Sequence, residues 1–435
     1  MQFLFKVIIL FLIVFNFRLP MVYNSVVVSI ILSAFYYITK RGKIPFTYFF
    51  QRYNAVILIG TVVIAFIVFL IPFLHHTNIV TAIEKRMWVQ FMMLWAVIFA
   101  LPLFIEGKES AAFEELAVIV CYAYALQGVI SLVGNLYAPF GDFLFNMKPE
   151  VMKEVVLNPA ANLDKFRLYN LSGVVFVELT AAYGIALIVF FWLQLKSDQP
   201  YMNGWKKYLI IFFIFLGNTF AGRTGFIGLV MGLGGWLFFS FNEVFIFFKR
   251  NIGYIIGFVL IFIFSYNVLL TGKQRQFFND EVFPFAFEWY YKYEETGKAE
   301  VSSLDATLYK HYFYLYDETL LKGHGINANE HPSYPSSDAG YINTLIFGGI
   351  PLLLCLAIYQ FLYFIQPMAI ARKNSSRNNQ IDFVFFLLCM FYVYIVDIKT
   401  SALGTLHVLE VLYLVLGSGY VAQYYFIKEQ RELTG

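Results

Sequence analysis

Apolar runs of bilayer length recur along almost the whole chain, and they decide what it can fold into. A helix needs about 20 apolar residues to cross the hydrocarbon core, where every backbone N–H and C=O must be satisfied within the protein. Twelve runs fit this pattern: 3–17, 21–38, 53–74, 88–105, 116–136, 171–195, 208–221, 224–242, 252–270, 340–365, 381–398 and 404–425. The first and seventh are short, and the boundary through Gly222-Arg223-Thr224-Gly225 is the least distinct. Of the 435 residues 60% are hydrophobic and 14% charged, against about 25% charged in a soluble globular chain. The expected fold is all-α, a polytopic integral membrane helical bundle in which residues 1–435 form a single transmembrane domain. Met1–Phe17 carries one lysine before its apolar stretch. No small-residue cleavage site follows and a second apolar run begins at once, so the segment is expected to be the first span.

Other classes fall away on composition. A net charge of +3 gives no basic footprint for nucleic acid. Cys121, Cys355 and Cys389 all lie inside apolar runs, so neither a disulfide framework nor a cysteine metal site is expected. No P-loop, dinucleotide-binding glycine turn or nucleophile elbow occurs.

The positive-inside rule orients the set. With both termini cytoplasmic, sixteen lysines and arginines fall in the inner segments and five in the short outer ones. Two long segments, 137–170 and 271–339, then face outward. The second is long enough for helices of its own. Ser302-Ser303-Leu304-Asp305 forms a capping box, Leu304, Leu308, Tyr312 and Leu315 recur at helical spacing, and Gly323 and Gly325 mark the end. Aromatic density over Phe283–Tyr293 predicts a stretch lying on the membrane surface.

Charged groups at a span are costly, at least ~2.5–3.5 kcal/mol on insertion scales, so each needs an account. Arg223 sits between glycines in Phe220-Ala-Gly-Arg-Thr-Gly225, where the backbone can turn tightly and a planar guanidinium can meet phosphate; the plainer role is a hairpin residue reaching the headgroups. Arg167 precedes the sixth span and would serve as well for an interfacial anchor. Glu178, a few turns into that span, must be protonated, paired or hydrated, and pairing with a neighbouring helix accounts for it as readily as function. His324, His331 and Asp338 lie in a turn-rich stretch before the tenth span, with no zinc-ligand spacing, and the histidines there can equally be incidental. Asp397 and Lys399 flank a turn and suit an interfacial ion pair.

Two arginines, an acid and a histidine at the outer mouth of a bundle imply an anionic substrate. ATP is absent on that side, so the substrate must carry its own activated leaving group. A lipid diphosphate sugar does: arginines stabilise the departing diphosphate, while a carboxylate or imidazole deprotonates the attacking hydroxyl.

At these positions the chain resembles the bacterial O-antigen polymerases and O-antigen ligases, polytopic membrane glycosyltransferases. The likeness rests on Phe166-Arg-Leu-Tyr-Asn-Leu-Ser-Gly173 with Glu178, on Gly222-Arg-Thr-Gly225, on Gly323-His-Gly325 followed by Ser337-Asp-Ala-Gly-Tyr-Ile342 and Phe347-Gly-Gly-Ile350, and on Ile398-Lys-Thr400. With the span pattern, it covers nearly the whole chain. The resemblance implies about 12 transmembrane helices and a large periplasmic loop containing helices. It implies a multi-pass enzyme of the cell inner membrane that joins undecaprenyl-diphosphate-linked oligosaccharide repeat units into O-antigen, capsular polysaccharide or exopolysaccharide, without cofactor or metal. Arg167 and Arg223 would bind diphosphate, His331 or Asp338 would activate the acceptor hydroxyl beside Arg223, and Glu178, His324, Tyr341 and Lys399 would lie along the substrate. Partners would be the lipid-linked oligosaccharide, membrane lipids and a chain-length regulator, and no nucleic acid. Ligases carry a histidine about eleven residues before the glycine of the helix after the large loop; Ser337 stands there, which favours a polymerase over a ligase. Family members often have an arginine early in the large-loop helix, where this chain has Leu304, Asp305 and Ala306, with Lys310 or Arg275 as substitutes. From another class, a flippase for lipid-linked oligosaccharide would also be polytopic with buried charges, but such transporters show related halves, and no internal repeat is visible.

Overall fold

The computed structural model describes residues 2–19, 24–41, 51–77, 81–148, 153, 167, 169–173, 176–196, 202, 204–298, 307–328, 331–373, 376–399 and 407–434. Every regular element among them is helical: α1 (Gln2–Phe15), α2 (Ser25–Arg41), α3 (Arg52–Leu74), α4 (Thr81–Ile105), α5 (Ala112–Leu136), α6 (Ala138–Asn146), α7 (Phe176–Gln194), α8 (Lys206–Ala221), α9 (Gly225–Phe264), α10 (Gly272–Phe277), α11 (Phe283–Ala286), α12 (Glu288–Thr296), α13 (Asp317–Lys322), α14 (Gly340–Arg372), α15 (Arg377–Asp397) and α16 (His407–Thr434). Each of the twelve apolar runs contains helix among the described residues, although 171–173 is irregular and its helix begins only at Phe176. Among the described residues, six helices are both long and apolar enough to cross a membrane: Arg52–Leu74, Met87–Ile105, Glu109–Leu136, Phe176–Gln194, Gly340–Arg372 and Arg377–Asp397. The runs expected at 224–242 and 252–270 share one helical element, α9, interrupted at Ser240 (φ −123°, ψ 20°).

Burial sorts the long helices. In α7, 89% of the most apolar 18-residue window is buried, so this helix is the axis of the bundle. In α3 only 28% is, and Ile59, Phe66 and Phe73 stand outward at 64%, 66% and 74% exposure. An apolar helix whose outer face is also apolar is suited to lipid rather than water. These features define a multi-pass helical membrane protein. The first segment is integral to it: α1 buries Lys6 against Glu115 at 3.3 Å and packs on α2 and α5.

Two helix features set the ends of the bundle. α7 and α9 cross so closely that a Cβ at Gly228 would lie 2.3 Å from the Gly184 carbonyl oxygen, the small-residue contact that lets membrane helices approach. That crossing fixes the α8–α9 turn, which holds Arg223. α14 is broken at Gly349 (φ 66°, ψ −168°), followed at once by Pro351. Proline has no N–H to give the Phe347 carbonyl, and the break misdirects the donor for Ile346. Gly325 and His324 supply both bonds from outside, at 2.9 and 2.7 Å.

The segment before α14 differs from the expected single helix. Ser302–Asp305 lies outside the described residues; beyond it comes one π-helical turn at Thr307–His311, then an extended stretch, then the short α13 ending at Gly323. Over 312–316 Leu315 turns inward, whereas Tyr314 and Tyr316 are 77% and 63% exposed. The Tyr-Phe-Tyr-Leu-Tyr sequence suits a strand-like alternation, and Tyr316 N–H donates to the Tyr334 hydroxyl instead of to a helical carbonyl. Leu315, Tyr334, Ile342 and Ile346 pack this stretch onto α14. A second small cluster, Phe220, Phe278 and Val282, seats the 278–286 segment on the end of α8.

Candidate functional site

Arg167 and Arg223 come together although 56 positions separate them in the chain. Arg223 stands in the α8–α9 turn, where the Gly222 N–H closes α8 by donating to the Asn218 carbonyl and the Arg223 carbonyl accepts from Phe226 at the start of α9. Arg167 lies in the approach to α7 and donates from Nε to the Ala221 carbonyl at 3.2 Å, so it is tied directly to that turn. One aromatic ring serves both: the Phe285 centroid is 4.7 Å from the Arg223 guanidinium carbon and 5.2 Å from that of Arg167, which also lies 4.9 Å from Phe176. Stacking on apolar rings removes rotamer freedom and leaves the guanidinium edges for hydrogen bonding.

Lys399 shares this electrostatic neighbourhood. Burial and then the positive fields of Arg223 and Arg167 hold its ammonium down to about 8, against the opposing pull of Asp338. Two arginines and one carboxylate, from three other segments, thus act on Lys399. The Asp338 side chain is 80% exposed, its Oδ2 lies 3.8 Å from His311 Nε2, and its own backbone N–H donates to His311 Nδ1 at 3.1 Å. The expected Asp397–Lys399 ion pair does not form: Asp397 points into the bundle and accepts from Gln360 Nε2 at 3.1 Å. A carboxylate at the last turn of α15 is turned inward by the helix, whereas Lys399 is already beyond its end.

The remaining expected residues are distributed around this centre. Tyr341 donates to the Tyr394 carbonyl at 2.7 Å, bracing α14 against α15. Glu178 is buried; its Oε1 accepts from Val408 N–H at 2.9 Å and lies 3.1 Å from His407 Nδ1, so it anchors the first turn of α16. That favours the structural pairing over substrate contact. His324 and His331 stack with ring centroids 4.6 Å apart, against Tyr334. Their contacts run to Thr319, Tyr334 and Ser333, not to Arg167 or Arg223. Burial lowers the pKa of both, helped at His324 by the neighbouring His75 and at His331 by His324, which favours neutral rings.

Several contributors carried no plain signal in the sequence. Glu288, in α12, forms an ion pair with Arg223 and another with Lys292 at 3.2 Å. Glu288 and Phe285 belong to the aromatic stretch expected to lie on the membrane surface; the acid within it was the one available clue. Lys148, after α6, is buried, donating to Asn170 Oδ1 at 2.9 Å and the Ser172 carbonyl at 3.3 Å. Asn170 in turn donates to the Arg167 carbonyl at 2.7 Å, so Lys148 steadies the turn that presents that arginine.

Chemically, the arrangement can bind a polyvalent anion with Arg167 and Arg223 and hold an exposed carboxylate, Asp338, within the field of Lys399. No protein-family model, no curated protein and no solved structure matches this chain.

Proposed function

We propose that this protein is a polysaccharide polymerase of the inner membrane that joins undecaprenyl-diphosphate-linked oligosaccharide repeat units on the periplasmic face. The observation that supports it is the convergence of Arg167 and Arg223 on one ring, with Lys399 in their field. In this reading about twelve spans carry the site to the periplasmic mouth, and the segments 137–170 and 271–339 cover it.

In the reaction, the acceptor hydroxyl oxygen attacks the anomeric carbon of the donor as the bond from that carbon to the diphosphate oxygen breaks. The bonding pair leaves with the diphosphate, whose growing charge Arg167 and Arg223 neutralise. The acceptor's proton passes to Asp338, which is exposed, acts on Lys399 and has its Oδ2 3.8 Å from His311 Nε2; His331, packed in its own cluster, is the weaker candidate.

The test is turnover. Purified protein incubated with synthetic undecaprenyl-diphosphate repeat units should give a ladder of polymer on a gel. Arg167→Ala and Arg223→Ala should each reduce it about 10²–10³-fold, the cost of losing one preorganised charge donor, at unchanged protein level. Undiminished chain lengths in both variants would sink the assignment. The break in α14 at Gly349 favours a lipid-linked oligosaccharide flippase instead, since transporters use interrupted helices. That reading requires variants that trap lipid-linked units on the cytoplasmic leaflet. Ligase activity would leave polymer on its lipid carrier when the site is disabled.

A further inference from the structure

Deep in the bundle, away from any contact with the arginines, Glu410 is held in the first turn of α16 with only neutral partners. Gln90 of α4 donates to its Oε2, and the Tyr359 hydroxyl of α14 donates to the same oxygen at 3.3 Å. Tyr359 in turn shares hydrogen bonds of 2.7 Å with Thr61 of α3 and with the Tyr363 hydroxyl. Asp397 of α15 is another acid that acts on it, and among the described residues Asp397 has Gln360 as its hydrogen-bond partner, its Oδ1 receiving no hydrogen bond. From α3, α4, α14 and α15, then, the groups facing Glu410 are Thr61, Gln90, Tyr359, Tyr363 and Asp397; among the described residues no lysine, arginine or histidine pairs with it. His407, one turn earlier on α16, is engaged with Glu178.

A structural polar knot in a membrane core needs amides and hydroxyls. It does not need two acids without a cation, since an ionisable side chain at that depth is far more costly than its neutral amide. Two hydroxyl steps also lead from this acid towards a cavity. At the end of the bundle formed by residues 51–53, 105–109 and 421–429 lies a cavity of about 370 Å³, lined by Gln51, Arg52, Tyr53, Glu109, Gln366 and Glu429 among others. Tyr53, which lines it, donates to the Tyr363 backbone carbonyl at 2.7 Å, so the cavity wall meets Tyr363 at its backbone, and the hydroxyl chain itself runs from Tyr363 through Tyr359 to Glu410.

We propose that Glu410 is a reversible proton-binding site at the centre of the bundle, served by the paired hydroxyls of Tyr359 and Tyr363, with the cavity behind Tyr53 as the source of water. On loading, one proton from cavity water converts the carboxylate to a neutral acid, whose O–H donates to the Tyr359 hydroxyl; on unloading the proton returns by the same steps. No electron or heavy-atom bond changes. The site is independent of what the arginine cluster transfers.

Infrared difference spectroscopy of the intact protein in lipid nanodiscs reads this directly. A protonated-carboxyl C=O band should appear on acidification, shift in D₂O, and be lost in Glu410→Gln, which keeps the hydrogen-bonding shape. Tyr363→Phe should leave the band present and slow its proton–deuteron exchange, a result that does not depend on Glu410→Gln folding. A band that persists in folded Glu410→Gln, a wild-type spectrum with no pH-dependent carboxyl band, or exchange unchanged in Tyr363→Phe would each overturn the proposal. So would a band governed by sodium concentration in place of pH.

Discussion

Side chain by side chain, the site is governed by what surrounds each cation. Lys399 is the adjustable member, because burial beside two guanidiniums holds it down to about 8. Its charge is present below that pH and is lost as the pH rises through it. Binding of an anionic lipid diphosphate should therefore be level up to neutral pH and weaken between pH 7 and 9. Lys399→Arg should remove that decline, as titrated binding to the immobilised protein would show. Lys148 is lowered in the same way, with the opposite trend for stability. Burial lowers it to about 7 from an unfolded value near 10.5. Below pH 7 both states are protonated and the fold bears the whole desolvation cost; above it the folded amine is neutral and still donates to Asn170 and Ser172. The unfolded chain then binds more protons, so stability contributed here rises with pH from about 7 to 10.5. The thermal midpoint should climb over that window in the wild type and climb less in Lys148→Met. Single-residue roles were the least legible in the sequence. Arg167 and Arg223 announced themselves by their cost at a span, but Glu288 and Phe285 belong to a separate stretch, and nothing local says that it folds back over the α8–α9 turn.

Among the elements, the apolar periodicity gave the helices and little else. Lipid demands long apolar helices, so their existence is written in composition, while their breaks depend on one residue each. Gly349 and Gly323 both hold a backbone region almost reserved for glycine (φ 66° and 68°, each with ψ near ±167°), and a Cβ at Gly349 would lie 2.9 Å from the Leu320 and Leu321 carbonyl oxygens. Gly349→Ala should lower stability by about 1–3 kcal/mol and free the Gly323–Gly325 stretch, seen as a lower thermal midpoint with faster hydrogen exchange at His324 and Gly325. Unaltered exchange there would separate the break from the docking of that loop. The extended 312–316 segment shows why helical spacing misled: leucines and tyrosines spaced for a helix also satisfy a two-residue alternation when every second one is an exposed tyrosine.

For the molecule as a whole, the orientation drawn from the lysines and arginines makes a direct prediction. With the native cysteines replaced, Asp338→Cys, at an 80% exposed position, should react with a membrane-impermeant maleimide in intact spheroplasts. Glu432→Cys near the C-terminus, 67% exposed, should react only after permeabilisation. The reverse pattern would place the cationic site on the ATP side and remove the reason for an activated lipid donor. Within that frame the Arg223–Glu288 contact has a consequence for traffic through the site. Nη1 of the guanidinium already meets the protein's own carboxylate, so on the proposed reading a phosphate reaching that edge would enter by exchange, and the displaced Glu288 would keep Lys292 as its companion. On that reading, binding at Arg223 would loosen α12, and faster protease nicking near Gly297 on adding a lipid diphosphate would report it before any sugar has moved.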